Sequence, residues 1–205
     1  MKRPSRTERK ALIIQAAVGV FAEKGYTRTL MAEVASAAQI GKGTVYEYFK
    51  SKDDLFFAVF KHVIQESGDI AEAALRKAAG KSAARRLMAL NSAIVSWIAR
   101  HRHFYTLSME FWAAAVSASP EKRTRMETEV RDIYERFRRI VAGIIQGGMT
   151  DGEFKKEVNS RAIAAAMVGS WDGLGVQAWF DPGFKIEKTS QAYMKLLVSG
   201  MLANR

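Results

Sequence analysis

The chain has 205 residues, of which 48% are hydrophobic and 26% charged, as in an ordinary globular protein of one large or two small domains. It has no cysteine, which excludes disulfides and thiolate metal sites, and no apolar run near the ~20 residues that a membrane span needs. A net charge of +11 favours a polyanionic partner, and both nucleic acid and an acidic membrane surface fit that charge.

The N-terminus is strongly basic, because five Lys/Arg residues accompany only Glu8 within the first ten positions. No apolar stretch with a cleavage site follows this run, so we predict no signal peptide and a cytoplasmic location. Such a run is usually a solvated tail, and an arm that contacts phosphates is the alternative.

Two helices are predicted before residue 39. Helix 1 is expected over residues 7–24, where apolar residues recur at helical spacing, and Gly25 supplies its C-terminal stop. Thr29 is the predicted N-cap of helix 2, whose apolar positions recur from Met31 onward.

A tight turn over residues 39–41 is predicted to join helix 2 to helix 3, which is expected over residues 42–49. Ser51 and Asp54 then approximate a capping box at the start of helix 4. Two short helices joined by a tight turn are typical of the helix-turn-helix, whose second helix enters the major groove of DNA. The cationic, hydroxyl and phenolic side chains of helix 3 suit contacts with phosphates and base edges.

The rest of the chain is also predicted to be helical. Pro120 suits a helix start, and Gly-Gly, Asp-Gly and Pro-Gly pairs mark turns. After helix 4, helices are predicted at residues 82–100, 104–117, 121–147, 158–179 and 187–203. The predicted fold class is therefore all-α.

Three motifs in the first third of the chain occur in a fixed order: FAEKGY at residues 21–26, KGTVYEYF at 42–49 and SKDDL at 51–55. Together they resemble the TetR family of bacterial transcriptional repressors over about 45 residues. The resemblance implies a three-helix DNA-binding domain over residues 1–52. It also implies a helical ligand-binding and dimerisation domain over residues 53–205.

Two positions depart from the family pattern. Gln39 replaces the usual Gly, so we expect it to adopt a positive φ at a cost of order 1 kcal/mol. Gly41 replaces a frequent Ser, which removes a side-chain cap from helix 3, although Gly is itself a tolerated N-cap.

The resemblance also implies which residues contact DNA. The positions that match the family's contacts are Thr29, Lys42, Gly43, Thr44, Tyr46, Tyr48 and Lys52. The alternatives are helix capping for Thr29, packing for Tyr46 and ordinary solvation for the lysines. An operator of double-stranded DNA is the expected partner.

Large apolar side chains are frequent in the C-terminal part, where the plain interpretation is a core and a dimer interface. The resemblance implies in addition a pocket for a small apolar or aromatic effector, which flexible Met and flat Trp would suit. The candidate lining residues are Trp97, Phe104, Met109, Trp112 and Trp171.

The family pattern further implies a homodimer in which the helices at 158–179 and 187–203 pair with those of a twin subunit. The expected function is repression from a palindromic operator, with release by a ligand that shifts helix 4. The alternative is a small-molecule-binding or sequestering protein without sequence-specific DNA binding. The three histidines and the carboxylates show no catalytic or metal-ligating spacing, so we predict no enzyme, no metal and no cofactor.

Overall fold

The computed structural model describes residues 5–101, 103–117 and 119–203, and nine helices account for most of them. The helices are α1 (Arg6–Arg28), α2 (Met31–Ala37), α3 (Lys42–Tyr48), α4 (Lys52–Lys77), α5 (Ala83–Arg100), α6 (His103–Ser117), α7 (Pro120–Thr150), α8 (Ser160–Phe180) and α9 (Ile186–Met201). The predicted all-α class is confirmed. Within the described ranges the one β-bridge joins Phe154 and Leu202.

Helix α1 begins at Arg6, behind a capping box that Ser5 and Glu8 form. The Ser5 Oγ accepts the Glu8 N–H at 3.2 Å, and the Glu8 carboxylate accepts the Ser5 N–H at 2.6 Å. Hydrogen bonding of the carboxylate to the Ser5 backbone N–H, and secondarily to the Ser5 side chain, favours the charged form and lowers the pKa of Glu8. Of the basic N-terminal run, Lys2 and Arg3 lie outside the described residues.

The predicted stop at Gly25 is confirmed as a break inside α1, because Gly25 has φ 74° and ψ 171°. The predicted N-cap at Thr29 is wrong. The cap of α2 is Leu30, whose backbone N–H donates to the Glu33 carboxylate at 2.8 Å. The Thr29 hydroxyl instead donates to the Gly25 carbonyl at 2.7 Å, which is one of the last four carbonyls of α1, where intrahelical partners are missing.

The turn between α2 and α3 has the predicted backbone. Gln39 has φ 55°, which confirms the expected left-handed conformation of a non-glycine residue. Gly41 is the N-cap of α3, and its carbonyl accepts the Thr44 N–H at 3.0 Å. At the start of α4 the Ser51 Oγ accepts the Asp54 N–H at 3.1 Å, as the capping pattern predicted.

The chain forms two compact units. The first, called the head, contains the described residues within 1–66 and 103–118: α1 to α3, the first part of α4, and α6. Its core is apolar and aromatic, and its fully buried members include Ile13, Phe21, Val34, Val45, Leu55, Val59, Leu107 and Phe111. The functional boundary predicted at residue 52 stays a prediction, because packing units do not test which residues bind DNA.

The second unit, called the body, contains the described residues within 67–102 and 119–205. A buried polar network joins three of its helices. The Asn91 amide donates to the Ser190 Oγ at 2.8 Å and accepts the Trp171 indole N–H at 2.9 Å. Because all three residues are at most 4% exposed, these mutual bonds satisfy polar groups that burial removes from water.

No helix among the described residues is long and apolar enough to cross a membrane.

Candidate nucleic-acid interface

Helix α3 has one face in the core of the head and the other in solvent. Val45 is fully buried and Phe49, four residues later, is 4% exposed, so the two side chains fix the inward face. Lys42, Gly43 and Tyr46 are exposed on the outward face. The core therefore orients three of the predicted DNA contacts outward.

The exposed residues of α3 supply a cation, a glycine whose backbone no side chain covers, and a phenol. The Lys42 Nζ lies 6.0 Å from the centroid of the Tyr46 ring, a loose cation–π contact that leaves the ammonium exposed. A Cβ added at Gly43 would meet nothing within 4 Å, so the protein itself does not require glycine there. A closely approaching DNA backbone would require it.

Thr44 and Tyr48 are half-buried on the same helix. The Arg6 guanidinium lies 5.9 Å from the centroid of the Tyr48 ring, and the Lys10 ammonium lies 5.7 Å from that of Phe49. The first turns of α1 therefore place two cations beside the C-terminal end of α3. Arg and Lys side chains are frequent donors to phosphate oxygens in protein–DNA complexes.

Lys52 differs from Lys42 in its contacts. Its Nζ donates to the carbonyls of Tyr26 at 2.8 Å, Thr27 at 3.1 Å and Thr29 at 3.1 Å. An ammonium has three N–H donors, so these bonds use all of them. The structure thus directs the half-buried Lys52 at backbone carbonyls, and its predicted DNA contact stays a prediction.

The predicted DNA contact of Thr29 stays a prediction as well. The residue is 1% exposed, and its hydroxyl already donates to the Gly25 carbonyl. Of the seven predicted DNA contacts, the structure therefore brings five to the outward and flanking surface of α3: Lys42, Gly43, Thr44, Tyr46 and Tyr48.

Sequence reasoning missed the residues that hold the end of α1. The Glu110 carboxylate on α6 accepts the Tyr26 N–H at 2.6 Å, although these residues are 84 positions apart. The Tyr26 phenol donates to the Asp53 carboxylate. Burial and this hydrogen bond both raise the pKa of Tyr26, so the phenol stays protonated at neutral pH. Local sequence patterns do not predict a contact between residues so far apart in the chain.

The five predicted ligand-lining residues fall in both units. In the body, Trp97 is 2% exposed and stacks on the His101 ring at 4.9 Å, and Trp171 packs edge-on against Phe137 at 5.7 Å. In the head, the half-buried Phe104 stacks on Phe60 with ring centroids 6.0 Å apart.

The other two candidates, Met109 and Trp112, are 38% and 41% exposed, which is high for the walls of an enclosed pocket. The effector pocket stays a prediction.

Helices α8 and α9 carry a second exposed surface, made of small and apolar residues. The exposed members, called the α8–α9 face, are Ala162, Ala165, Ala166, Gly169, Gly173, Phe180, Ala192, Leu196 and Gly200. Phe180 is 73% and Leu196 75% exposed. A Cβ added at Gly169 or Gly173 would meet nothing within 4 Å. Packing within one chain therefore does not account for these glycines.

Two family patterns match the chain. Residues 13–59 match the N-terminal pattern of bacterial regulatory proteins of the tetR family. Residues 83–200, more than half of the chain, match the C-terminal pattern of BetI-type transcriptional repressors.

Individual relatives agree with these matches over nearly the whole chain. The fatty acid metabolism regulator protein of Bacillus subtilis is 28% identical over 204 residues, which cover 98% of this chain and 97% of that protein. The structure of FadR from Bacillus subtilis in complex with stearoyl-CoA is 25% identical, with a TM-score of 0.72, and the match covers 93% of this chain and 98% of that one. A TetR transcription regulator from Haloarcula marismortui shares the fold, with a TM-score of 0.82 at 17% identity over 96% of this chain and all of that one.

Proposed function

The chain belongs to the TetR family of bacterial regulatory proteins, and we propose that it binds a palindromic operator as a homodimer and releases it when a small-molecule effector binds. It is a DNA-binding transcriptional regulator, with repression as the family's usual outcome. We place it in the cytoplasm, where its DNA target would lie.

The observation that carries the proposal is the outward face of α3. Lys42, Gly43 and Tyr46 are exposed although neighbouring Val45 is fully buried, so the fold presents a cation, an open backbone and a phenol together. In helix-turn-helix proteins the second helix contacts base edges in the major groove. We assign base or phosphate contacts to Lys42, Thr44, Tyr46 and Tyr48, and close backbone approach to Gly43.

The α8–α9 face supports the proposed dimer. An exposed apolar surface of this kind is usual at a protein interface. Its small residues allow a second pair of helices to approach closely, and Phe180 and Leu196 supply apolar area to bury. A two-fold axis through this face would carry two copies of α3, which matches a palindromic DNA site.

We propose a long-chain acyl-CoA as the effector. The support is the resemblance over nearly the whole chain to FadR of Bacillus subtilis, whose solved structure is in complex with stearoyl-CoA. An acyl chain also fits the small apolar effector expected from the aromatic and Met side chains of the C-terminal part. The acyl-CoA releases the DNA if it binds the DNA-free state of the protein more tightly than the DNA-bound state. In a typical allosteric protein the two affinities differ by a factor of about 5–150.

The first test is selection of genomic DNA fragments by the protein at about 0.15 M salt, followed by sequencing. We expect enrichment of one palindrome. The variant Lys42→Ala/Tyr48→Ala is expected to lose binding to that palindrome while circular dichroism and the dimer mass stay unchanged. Lys81→Ala, which removes an exposed lysine of the body, serves as the matched control. If the folded dimer enriches no sequence, the result favours the alternative, a protein that binds small molecules without sequence-specific DNA binding.

The effector is tested with the selected palindrome and stearoyl-CoA. We expect stearoyl-CoA to weaken DNA binding by about 5- to 150-fold, whereas free CoA and stearate at equal concentration leave it nearly unchanged. No response to acyl-CoA of any chain length would contradict this effector class and leave the DNA-binding assignment intact.

A further inference from the structure

The chain between α1 and α2 leaves several backbone groups without helical partners. We call residues 25–30 the α1–α2 corner. Gly25 turns the chain out of helical geometry at its start, and Leu30 caps α2 at its end. Carbonyls at the end of a helix and N–H groups at a break require other partners when water is excluded. In the head, charged side chains from α4 and α6 provide them.

From α4, Lys52 holds the carbonyl side of the α1–α2 corner. Its three hydrogen bonds reach three of the corner's carbonyls, and its Nζ also lies 4.5 Å from the centroid of the Tyr26 ring. The adjacent Asp53 accepts the Tyr26 phenol. The first turn of α4 is therefore attached to the corner through both a cation and a carboxylate.

From α6, Glu110 holds the amide side of the same corner. Its Oε2 accepts the Tyr26 N–H at 2.6 Å. Its Oε1 lies 2.5 Å from where a Cβ would stand on Gly25, so the missing side chain of Gly25 makes room for the carboxylate. The Glu110 carboxylate thus provides an acceptor for the backbone N–H of the corner, and the Lys52 ammonium provides donors for its carbonyls.

We propose that Lys52 and Glu110 are positioning residues for DNA recognition, which set the placement of α2 and α3 through the α1–α2 corner, and that Lys52 makes no phosphate contact. The inference rests on the proposed DNA-binding function. Helix α2 begins at the end of the corner, and its buried Val34 shares the apolar core with Val45 of α3. A shift of the corner therefore moves the recognition helix, whose contacts with base edges tolerate little displacement.

The test compares two DNA duplexes of equal length: the palindrome that the protein selects and a random sequence. Positioning affects sequence recognition, whereas a phosphate contact contributes to both duplexes and to the dependence on salt. Lys52→Met keeps the aliphatic stem and removes the ammonium. We expect it to weaken binding to the palindrome by about 2- to 30-fold and to leave affinity for the random duplex unchanged.

The slope of log affinity against log salt supplies a second readout. We expect Lys52→Met to keep the wild-type slope on both duplexes, whereas Lys42→Met lowers the slope by about 1.8, because each subunit of the dimer loses one phosphate contact. A slope lowered in Lys52→Met as in Lys42→Met would overturn the assignment. So would unchanged affinity for the palindrome. The slope on the random duplex needs no operator, so it tests Lys52 even where the wild type selects no palindrome and the proposed function itself fails.

Glu110→Ala has a matched control in Glu153→Ala. Each variant removes a carboxylate that accepts a backbone N–H at 2.6 Å, but Glu153 caps α5 in the body. Measured well below both melting temperatures, Glu110→Ala is expected to lower the ratio of palindrome to random-duplex affinity by about 2- to 30-fold, and Glu153→Ala to leave it unchanged. Equal ratios in the two variants would show that Glu110 contributes stability alone and would overturn its positioning role.

Discussion

Gly25 combines an unusual backbone conformation with crowded surroundings. With φ 74° and ψ 171° it lies in a region that is essentially restricted to glycine, because a Cβ would collide with the neighbouring backbone. The Glu110 carboxylate occupies the space on the side where the Cβ would stand. Two independent effects therefore oppose any side chain at this position.

Gly25→Ala is expected to destabilise the protein by about 1–3 kcal/mol from backbone strain alone, measured by thermal or denaturant unfolding. The displaced Glu110 carboxylate adds to this loss. Gly19→Ala is the control, because Gly19 lies within α1 and an added Cβ would meet nothing within 4 Å. That variant is expected to stabilise by about 0.5–1 kcal/mol. A stable Gly25→Ala protein would show that the corner adopts another backbone conformation.

Lys42 and Lys52 show how environment separates two identical side chains. Lys42 is exposed near one phenol, so its charge is available to an anion. Lys52 directs all three N–H groups at carbonyls, and removing it would leave acceptors unpaired in a partly buried place.

At the level of elements, the connection between α7 and α8 stabilises the body by capping α5. The two Glu153 carboxylate oxygens accept the N–H groups of Ala83 at 2.6 Å and Ala84 at 3.0 Å. A negative charge at a helix N-terminus also interacts favourably with the helix dipole. The same segment is attached to the end of α9, because the Ala203 N–H donates to the Glu153 carbonyl at 3.0 Å.

Glu153→Ala is expected to lower the free energy of unfolding by about 0.5–2 kcal/mol, the usual cost of losing an N-terminal cap. Glu157→Ala, an exposed carboxylate of the same connection, is expected to change it by less than about 0.5 kcal/mol. Chemical denaturation of both variants makes the comparison. Equal losses would mean that charge, and not the cap, accounts for the effect.

Helix α6 belongs to the head in packing although it follows α5 in sequence. The Phe111 and Phe60 rings are nearly parallel, with centroids 4.0 Å apart, and Glu110 bonds to the α1–α2 corner. Contacts between such distant positions are not visible in local periodicity. The sequence predicted where α6 lies in the chain but not which unit it joins.

At the level of the whole molecule, the proposed dimer depends on the α8–α9 face. A standard interface buries about 800 Å² on each partner, and Lys, Glu and Asp are depleted at its core. Leu196 is 75% exposed in the single chain, so burial against a second copy would remove a large apolar side chain from water.

Leu196→Glu is therefore expected to convert the protein to a 22.8 kDa monomer, as measured by light scattering or sedimentation, because a charge would be buried without a partner. The affinity of this variant for the palindrome would also fall, because a monomer binds only one half-site at a time. Leu12→Glu makes the same change at a leucine that is 56% exposed on α1, and this variant is expected to remain a dimer. A dimeric Leu196→Glu protein would place the interface elsewhere.

The sequence by itself determined the helical class, the helix-turn-helix and the break at Gly25, whereas the left-handed Gln39 was implied by the family resemblance. The first three features depend on periodicity, capping and backbone freedom among neighbouring residues, all of which are local. The outward direction of Lys42 and Tyr46 followed from the same spacing, because Val45 and Phe49 are buried.

Only the tertiary structure decided the roles of Lys52, Thr29 and Glu110. Thr29 and Lys52 bond to carbonyls at the C-terminal end of α1, and Glu110 reaches the Tyr26 N–H beside the break at Gly25 across 84 positions of chain. The hydrogen-bond partner of a side chain depends on which atoms folding brings within about 3 Å. The spacing of residues along the sequence does not reveal which atoms these are. The resemblance therefore implied a DNA contact for both Lys42 and Lys52, whereas the fold gives the two lysines different partners.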